Sequence, residues 1–330
     1  MSPLRVSAPG KAVLAGEYVV LGGAPALSMA VDRRVVAEIA EMSGAEHMIA
    51  TPGLADGSWR FTVDGGDVDW PDHPPTGVAR LVSAAATIIE RHPFRALSIT
   101  IDSRPFFDTA SQAKLGLGSS AAVVAALAGA LTQSAGNAER TVEMAHELHR
   151  RLQQGHGSGI DVATSLSGGI IEFRMAEAEA PQPLAWPPGL SYRFLWSGRP
   201  ADTLARIREL PDGIFSDGPG AELACAAHAV VDAWRNGRDV LAALGDYRDR
   251  LRQFSDANDL GIYGAGHDAV ATLAEKLAVV YKPCGAGGGD IGVAFAHSED
   301  AIDRLLDRLP ETGFVPLSLA LDSRGIVVEN

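Results

Sequence analysis

Cysteine is almost missing from this 330-residue chain, which has only Cys225 and Cys284. No disulfide framework follows from two, and a reducing, cytoplasmic location is the default expectation. Long apolar runs are missing as well. The longest, Ala121 to Leu131, is about half of the roughly 20 residues needed to cross a bilayer. The opening MSPLRVSAPGK has no apolar signal-peptide core, so no membrane partner is expected. Positive charge is also short, with 28 Lys and Arg against 41 Asp and Glu and a net charge of −13. A broad nucleic-acid face needs clustered basic residues and is excluded; a small anionic ligand in a local basic pocket is not. Lysine is scarcest, at Lys11, Lys114, Lys276 and Lys282 only. Either codon bias alone explains this, or each retained lysine marks a place where a compact ammonium fits and a guanidinium fork does not.

What is abundant is hydrophobic residue, 46%, and glycine, 36 residues. The chain can therefore build a sizeable core, and its length suggests about two domains. Short apolar runs predict strands at Leu4–Ala8, Ala26–Val31, Val35–Ala40, Trp59–Val63, Leu97–Ile101 and Gly168–Phe173. Helical spacing covers Thr76–Arg91, Ser119–Ser134 and Glu139–Gln154. The Pro-rich stretch Pro181–Pro188 marks the expected boundary between domains 1–180 and 181–330. Beyond it, strands are expected at Tyr192–Trp196, Ile291–Phe295, Phe314–Leu321 and Ile326–Val328. Helices are expected at Asp202–Leu210, Ala221–Leu244, Ala265–Leu277 and Ser298–Leu309. Strands and helices mix without strict alternation, so the fold class is α+β.

Four segments carry chemistry. In Lys114-Leu-Gly-Leu-Gly-Ser-Ser-Ala-Ala122, two glycines allow close backbone approach. Ser119 and Ser120 then stand where N-cap residues belong, and a helix N-terminus is a ready anion site. The segment is not a Walker A loop. It fits G-x-G-x-x-[GA] through Gly116, Gly118 and Ala121, but no strand leads directly into it, which disfavours a dinucleotide fold. In Ala8-Pro-Gly-Lys-Ala-Val-Leu-Ala-Gly-Glu-Tyr18, Lys11 and Glu17 read either as solvated charges or as site residues. Lys282-Pro-Cys-Gly-Ala-Gly-Gly-Gly-Asp-Ile-Gly292 holds more glycines than a hairpin needs, which points to a ligand or to close backbone contact. Gln154-Gly-His-Gly-Ser-Gly-Ile-Asp161 places Asp161 on a constrained turn. Asp161 reads as an N-cap, or with Lys11 as the charge pair of a transfer reaction.

In this order, the four segments resemble the GHMP kinase superfamily over nearly the whole chain. Gly16–Leu21, Lys114–Ala122, Gly157–Ala163 and Lys282–Gly292 are most similar to its phosphomevalonate kinases; the mevalonate kinases carry His at the place of Tyr18. The resemblance implies a ribosomal-protein-like N-terminal lobe, a ferredoxin-like C-terminal lobe, and ATP and Mg²⁺ as cofactors. It implies phosphorylation of phosphomevalonate, with mevalonate or another small acid as the alternative acceptor, in a monomer or homodimer. Lys11 and Asp161 would be catalytic. Lys114, Gly116, Leu117, Gly118, Ser119, Ser120 and Ala121 would hold the nucleotide. Glu17, Tyr18, His156, Ser158, Gly287, Gly288 and Asp290 would meet the acceptor. Where the superfamily often has a metal-binding Glu, this chain has Arg150, so the metal falls to Ser120 and Glu147. An Ala-Ser-Thr motif appears as Ala201-Asp202-Thr203, and Cys284 stands where Ser is frequent.

Overall fold

The structure, a computed structural model, describes residues 3–155, 157–175, 180–201, 210–211 and 213–329. His156, Asp202, Thr203 and nearly all of the expected helix Asp202–Leu210 lie outside them. In chain order the strands are β1 Leu4–Ala15, β2 Ala26–Glu41, β3 His47–Thr51, β4 Ala55–Asp64, β5 Asp67–Asp69, β6 Leu97–Asp102, β7 Ile170–Phe173, β8 Gln182–Leu184, β9 Ser191–Trp196, β10 Val280–Pro283, β11 Ile291–Ala296, β12 Val315–Leu317 and β13 Val327–Glu329. The helices are α1 Thr76–Glu90, α2 Ser119–Ser134, α3 Thr141–Leu152, α4 Ile160–Ser167, α5 Gly218–Asn236, α6 Val240–Ala257, α7 His267–Glu275 and α8 Glu299–Arg308.

Nine strands form one sheet, ordered β13-β1-β2-β6-β3-β4-β5, with β7 beside the first half of β2 and β8 beside β7. Among the described residues, only β3 and β6 pair in parallel. The other four strands form an antiparallel sheet, β10-β11-β9-β12, that carries α6, α7 and α8. The α+β class is as expected. Two strands of the larger sheet come from beyond the division expected at 180/181: β8 pairs with β7, and β13 returns to pair with β1.

Two expected elements differ. Residues 26–31 and 35–40 are one strand, because the polar interruption Asp32-Arg33-Arg34 is a docking point for the returning tail. Asp32 Oδ1 accepts from Ala320 N at 3.0 Å, and Arg34 bonds the carboxylate of Asp322 and the carbonyl of Gly325. The helix expected over 221–244 breaks in two. Gly237 ends α5 in the left-handed conformation, and the Asp239 side chain caps α6 by accepting from Ala242 N.

Helix α2 positions the site. Ala121 through Thr132 are all buried, since α2 is sandwiched between β1 and β2 on one side and α3 and α4 on the other. A helix that is apolar all round belongs in such a place. Gly129 allows the approach to the sheet: a Cβ there would sit 2.8 Å from Val6 Cγ1. Among the described residues, no helix is long and apolar enough to cross a membrane.

Candidate active site

A cavity of about 510 Å³ opens where the N-terminus of α2 meets β1, α4 and the glycine loop before β11. Helix α2 begins after Gly118, which is left-handed (φ 72°). Among the described residues no side chain caps it; Ala121 and Ala122 N–H both donate to the Gly118 carbonyl. The expected capping by Ser119 or Ser120 is therefore corrected. Both serines already stand inside the first turn and line the cavity. The positive end of the helix dipole faces the same space. Exposed Lys114 lines it too, with Gly116 and Leu117. Ala121 is not among the described lining residues, because its side chain is buried in the core.

The two glycines of this loop accommodate side chains of the protein itself. A Cβ on Gly118 would lie 2.7 Å from Lys11 Cε, and one on Gly116 would lie 2.3 Å from Asp290 Cβ. Lys11 N–H donates to the Leu117 carbonyl at 2.9 Å, which pins the loop to β1. The phosphate-type loop, the lysine of β1 and the aspartate of the late loop are thus one packed unit.

Lys11 Nζ lies 3.2 Å from Asp161 Oδ1. Asp161 sits in the first turn of α4, whose N-cap Gly159 is also left-handed, and Ser158 lines the cavity beside it. Sequence reasoning missed His149, on the last turn of α3. It lines the cavity, is 4% exposed, and its Nε2 has no hydrogen-bond partner among the described residues. Burial holds its pKa below the usual histidine value, with Asp161 pulling the other way. A buried polar atom without a partner costs about 1–3 kcal/mol. The sequence signal was faint: His149 adjoins Leu148 on the buried stripe of an amphipathic helix.

Glu17 lines the cavity, but its carboxylate is bonded to the protein. Its side chain is 1% exposed; Oε1 pairs with Lys282 Nζ, and Oε2 accepts from the Tyr247 hydroxyl at 2.7 Å. Tyr247 in turn accepts from Gly16 N–H at 2.8 Å. Both oxygens of Glu17 bond the protein, joining the end of β1 to β10 and α6 at the cavity wall where the acceptor is expected. Tyr18 lines the cavity and donates to the Ala286 carbonyl at 2.7 Å. Gly287 and Gly288, expected to meet the acceptor, are not among the described lining residues. Gly288 N–H donates to Ile262 O, and a Cβ on Gly287 would strike Ile262 at 2.5 Å. Buried His267 bonds the Gly289 carbonyl, so this loop is glycine-rich for close backbone contact.

Asp290 does reach the cavity. It is left-handed (φ 56°), accepts from Ala201 N–H, and burial raises its pKa while Lys11 and Lys114 oppose the rise. Cys284 lines the cavity with its thiol pushed up to about 12 by burial. Glu147, expected as a metal ligand, is not among the described lining residues: its carboxylate pairs with Arg151 one turn along α3. No group of three or more His, Cys, Asp or Glu that could hold a metal ion is found among the described residues. The donors that fit a hard cation are the hydroxyl of Ser120 and the carboxylates of Asp161 and Asp290, all oxygen and all lining the cavity.

Residues 79–169 match the GHMP kinases N terminal domain. A phosphomevalonate kinase of Streptomyces sp. (strain CL190) is 28% identical, with 97% of each chain covered. A mevalonate kinase of Methanothermobacter thermautotrophicus is 30% identical over 62% of this chain and 63% of its own. The structure of Streptococcus pneumoniae phosphomevalonate kinase in complex with phosphomevalonate and AMPPNP superimposes with a TM-score of 0.77, at 18% identity, over 96% of this chain and 99% of that one. The chain thus shares the α+β fold of that kinase structure, and within it residues 79–169 match the GHMP kinases N terminal domain.

Proposed function

We propose that this protein is an ATP-dependent small-molecule kinase that transfers the γ-phosphoryl group to phosphomevalonate, giving diphosphomevalonate. The observation that carries the proposal is the Lys11–Asp161 pair beside the open N-terminus of α2, in a cavity walled by both lobes. The relative covering 97% of both chains supports this acceptor. Its free cysteines suit a reducing compartment such as the cytoplasm.

In phosphoryl transfer, positioning and charge neutralisation dominate. An oxygen of the acceptor's phosphate attacks the γ-phosphorus in line, and the bond to the β-phosphate oxygen breaks, releasing ADP. The first-turn backbone of α2 and Lys114 hold the phosphate chain. Lys11, held beside Asp161 until the phosphates arrive, places an ammonium where the two anions approach. Ser120 and the Asp290 carboxylate would hold a magnesium ion, which would supply further charge neutralisation. A phosphate monoester has its second pKa near 6, so it arrives mostly as a dianion and needs no strong base.

A second reading, mevalonate as acceptor, is favoured by one observation: the Asp161 carboxylate reaches the cavity, where it would take a hydroxyl proton. A coupled ADP-release assay with each acceptor separates the two. Turnover with phosphomevalonate is expected; turnover with mevalonate alone overturns the first choice.

A further inference from the structure

His149 has no place in the mechanism above, yet it lies in the same cavity wall as Lys11 and Asp161. It is on the last turn of α3, which packs against α4, the helix that carries Asp161. Buried polar atoms nearly always have a partner, and one without deserves a reason. The ammonium of Lys11 meets two demands. It pairs with Asp161 at 3.2 Å, and its stem lies against Gly118, the residue from which α2 presents its positive end to an anion. When phosphate oxygens enter, they draw Lys11 toward them, and Asp161 is left as a carboxylate in a space from which water is being expelled. Such a group needs a donor. A neutral imidazole protonated on Nε2 supplies one N–H.

We infer that His149 is a positioning residue that takes over Asp161 from Lys11 when a phosphate chain occupies the cavity. Lys11 is then free to neutralise charge without abandoning a bare carboxylate. The inference rests on the proposed phosphoryl transfer for its kinetic consequence, but not on the identity of the acceptor.

Two measurements test it. In the first, His149→Phe removes the N–H and keeps a ring, while His149→Gln and His149→Asn keep a donor. With the acceptor that wild type uses, His149→Phe is expected to lower kcat about tenfold to a hundredfold, with both KM values within about twofold. The Gln or Asn variant should recover part of that loss. In an Asp161→Asn background, His149→Phe should cost nothing more, since the two act as a unit. Unchanged kcat overturns the inference, as does a loss that multiplies with Asp161→Asn. A rise in acceptor KM alone overturns it too, and makes His149 a direct acceptor contact. The second measurement follows the His149 ring N–H in ¹⁵N-histidine-labelled protein at fixed pH, with inorganic tripolyphosphate as the probe. The signal should move downfield in wild type and stay in place in Asp161→Asn; no movement in wild type at saturating probe overturns the inference. Should wild type phosphorylate neither acceptor, the proposed function falls while this second readout still decides the role of His149.

Discussion

Two lysine–carboxylate pairs lie within one site and do opposite work. Lys282 and Glu17 are 0% and 1% exposed, and the second Glu17 oxygen is held by Tyr247. Lys11 and Asp161 are 10% and 29% exposed, and they face the cavity. The first pair is buried, and each oxygen of its carboxylate already has a partner within the protein. It fastens the strand that bears Lys11 to the sheet that bears the late glycine loop. The second pair is wet on one side and can exchange its partners. What separates a brace from a reactive pair here is saturation, not residue type.

The contrast is tested most severely at the brace. Glu17→Ala leaves the Lys282 ammonium buried without a counter-charge, and removing one member of such a pair costs about 3–5 kcal/mol. The double variant Glu17→Leu, Lys282→Met should recover much of this in urea unfolding, because an apolar pair carries no desolvation penalty. A single variant as stable as wild type would sink the claim that the pair is dry. At the reactive pair the order reverses. Lys11→Ala should cost about 10²–10³ in kcat, the scale for losing one preorganised electrostatic contact, with a melting temperature near wild type. Lys276→Ala, far from any glycine motif, should keep full turnover.

This division explains what the sequence could reveal. The α2 segment was legible because its signals are local: glycine, lysine, serine and alanine within nine positions describe a loop feeding a buried helix. The Lys11–Asp161 pairing was readable in outline, since each residue lies in a constrained glycine-flanked segment. The partners of Glu17 were not legible, because Lys282 and Tyr247 lie more than 200 residues away and nothing near Glu17 announces them. The contacts of Gly287 and Gly288 were not legible for a like reason. Their loop presses on Ile262 and on the backbone near Arg199, contacts that only the tertiary fold creates. The break at Gly237 was readable, because Asn-Gly-Arg-Asp holds both a left-handed stop and a capping aspartate.

The wet pair can be sharpened by its acceptor and its floor. Asp161→Asn should keep substantial turnover with phosphomevalonate, since no hydroxyl proton must move. With mevalonate as the true acceptor, the loss would be about 10²–10⁴-fold. Comparing kcat for both acceptors in this one variant distinguishes an orienting carboxylate from a general base. Gly118→Ala probes the contact beneath Lys11. The added Cβ would lie 2.7 Å from Lys11 Cε on a residue at φ 72°, so the ammonium must shift. An expected loss of about tenfold to a hundredfold in kcat follows from displacement alone. Wild-type kcat with impaired nucleotide affinity would instead mean that Gly118 serves the ligand directly.

The smallest effect concerns the boundary between dry and wet. Cys284 lines the cavity next to the strand of Lys282, yet burial pushes its thiol up to about 12. Only the thiolate reacts with alkylating reagents, so at pH 8 Cys284 stays almost wholly in its unreactive thiol form. Cys225 is exposed on α5 and serves as an internal reference. Brief treatment with iodoacetamide at pH 8, followed by peptide mass spectrometry, should label Cys225 and leave Cys284 unmodified, with turnover unchanged. Raising the pH should narrow the gap, because a larger thiolate fraction then forms at Cys284. Equal labelling at pH 8 would mean that water reaches the cavity floor beside Lys282. The brace would then be wet, and its difference from the Lys11–Asp161 pair would reduce to the Tyr247 hydrogen bond alone.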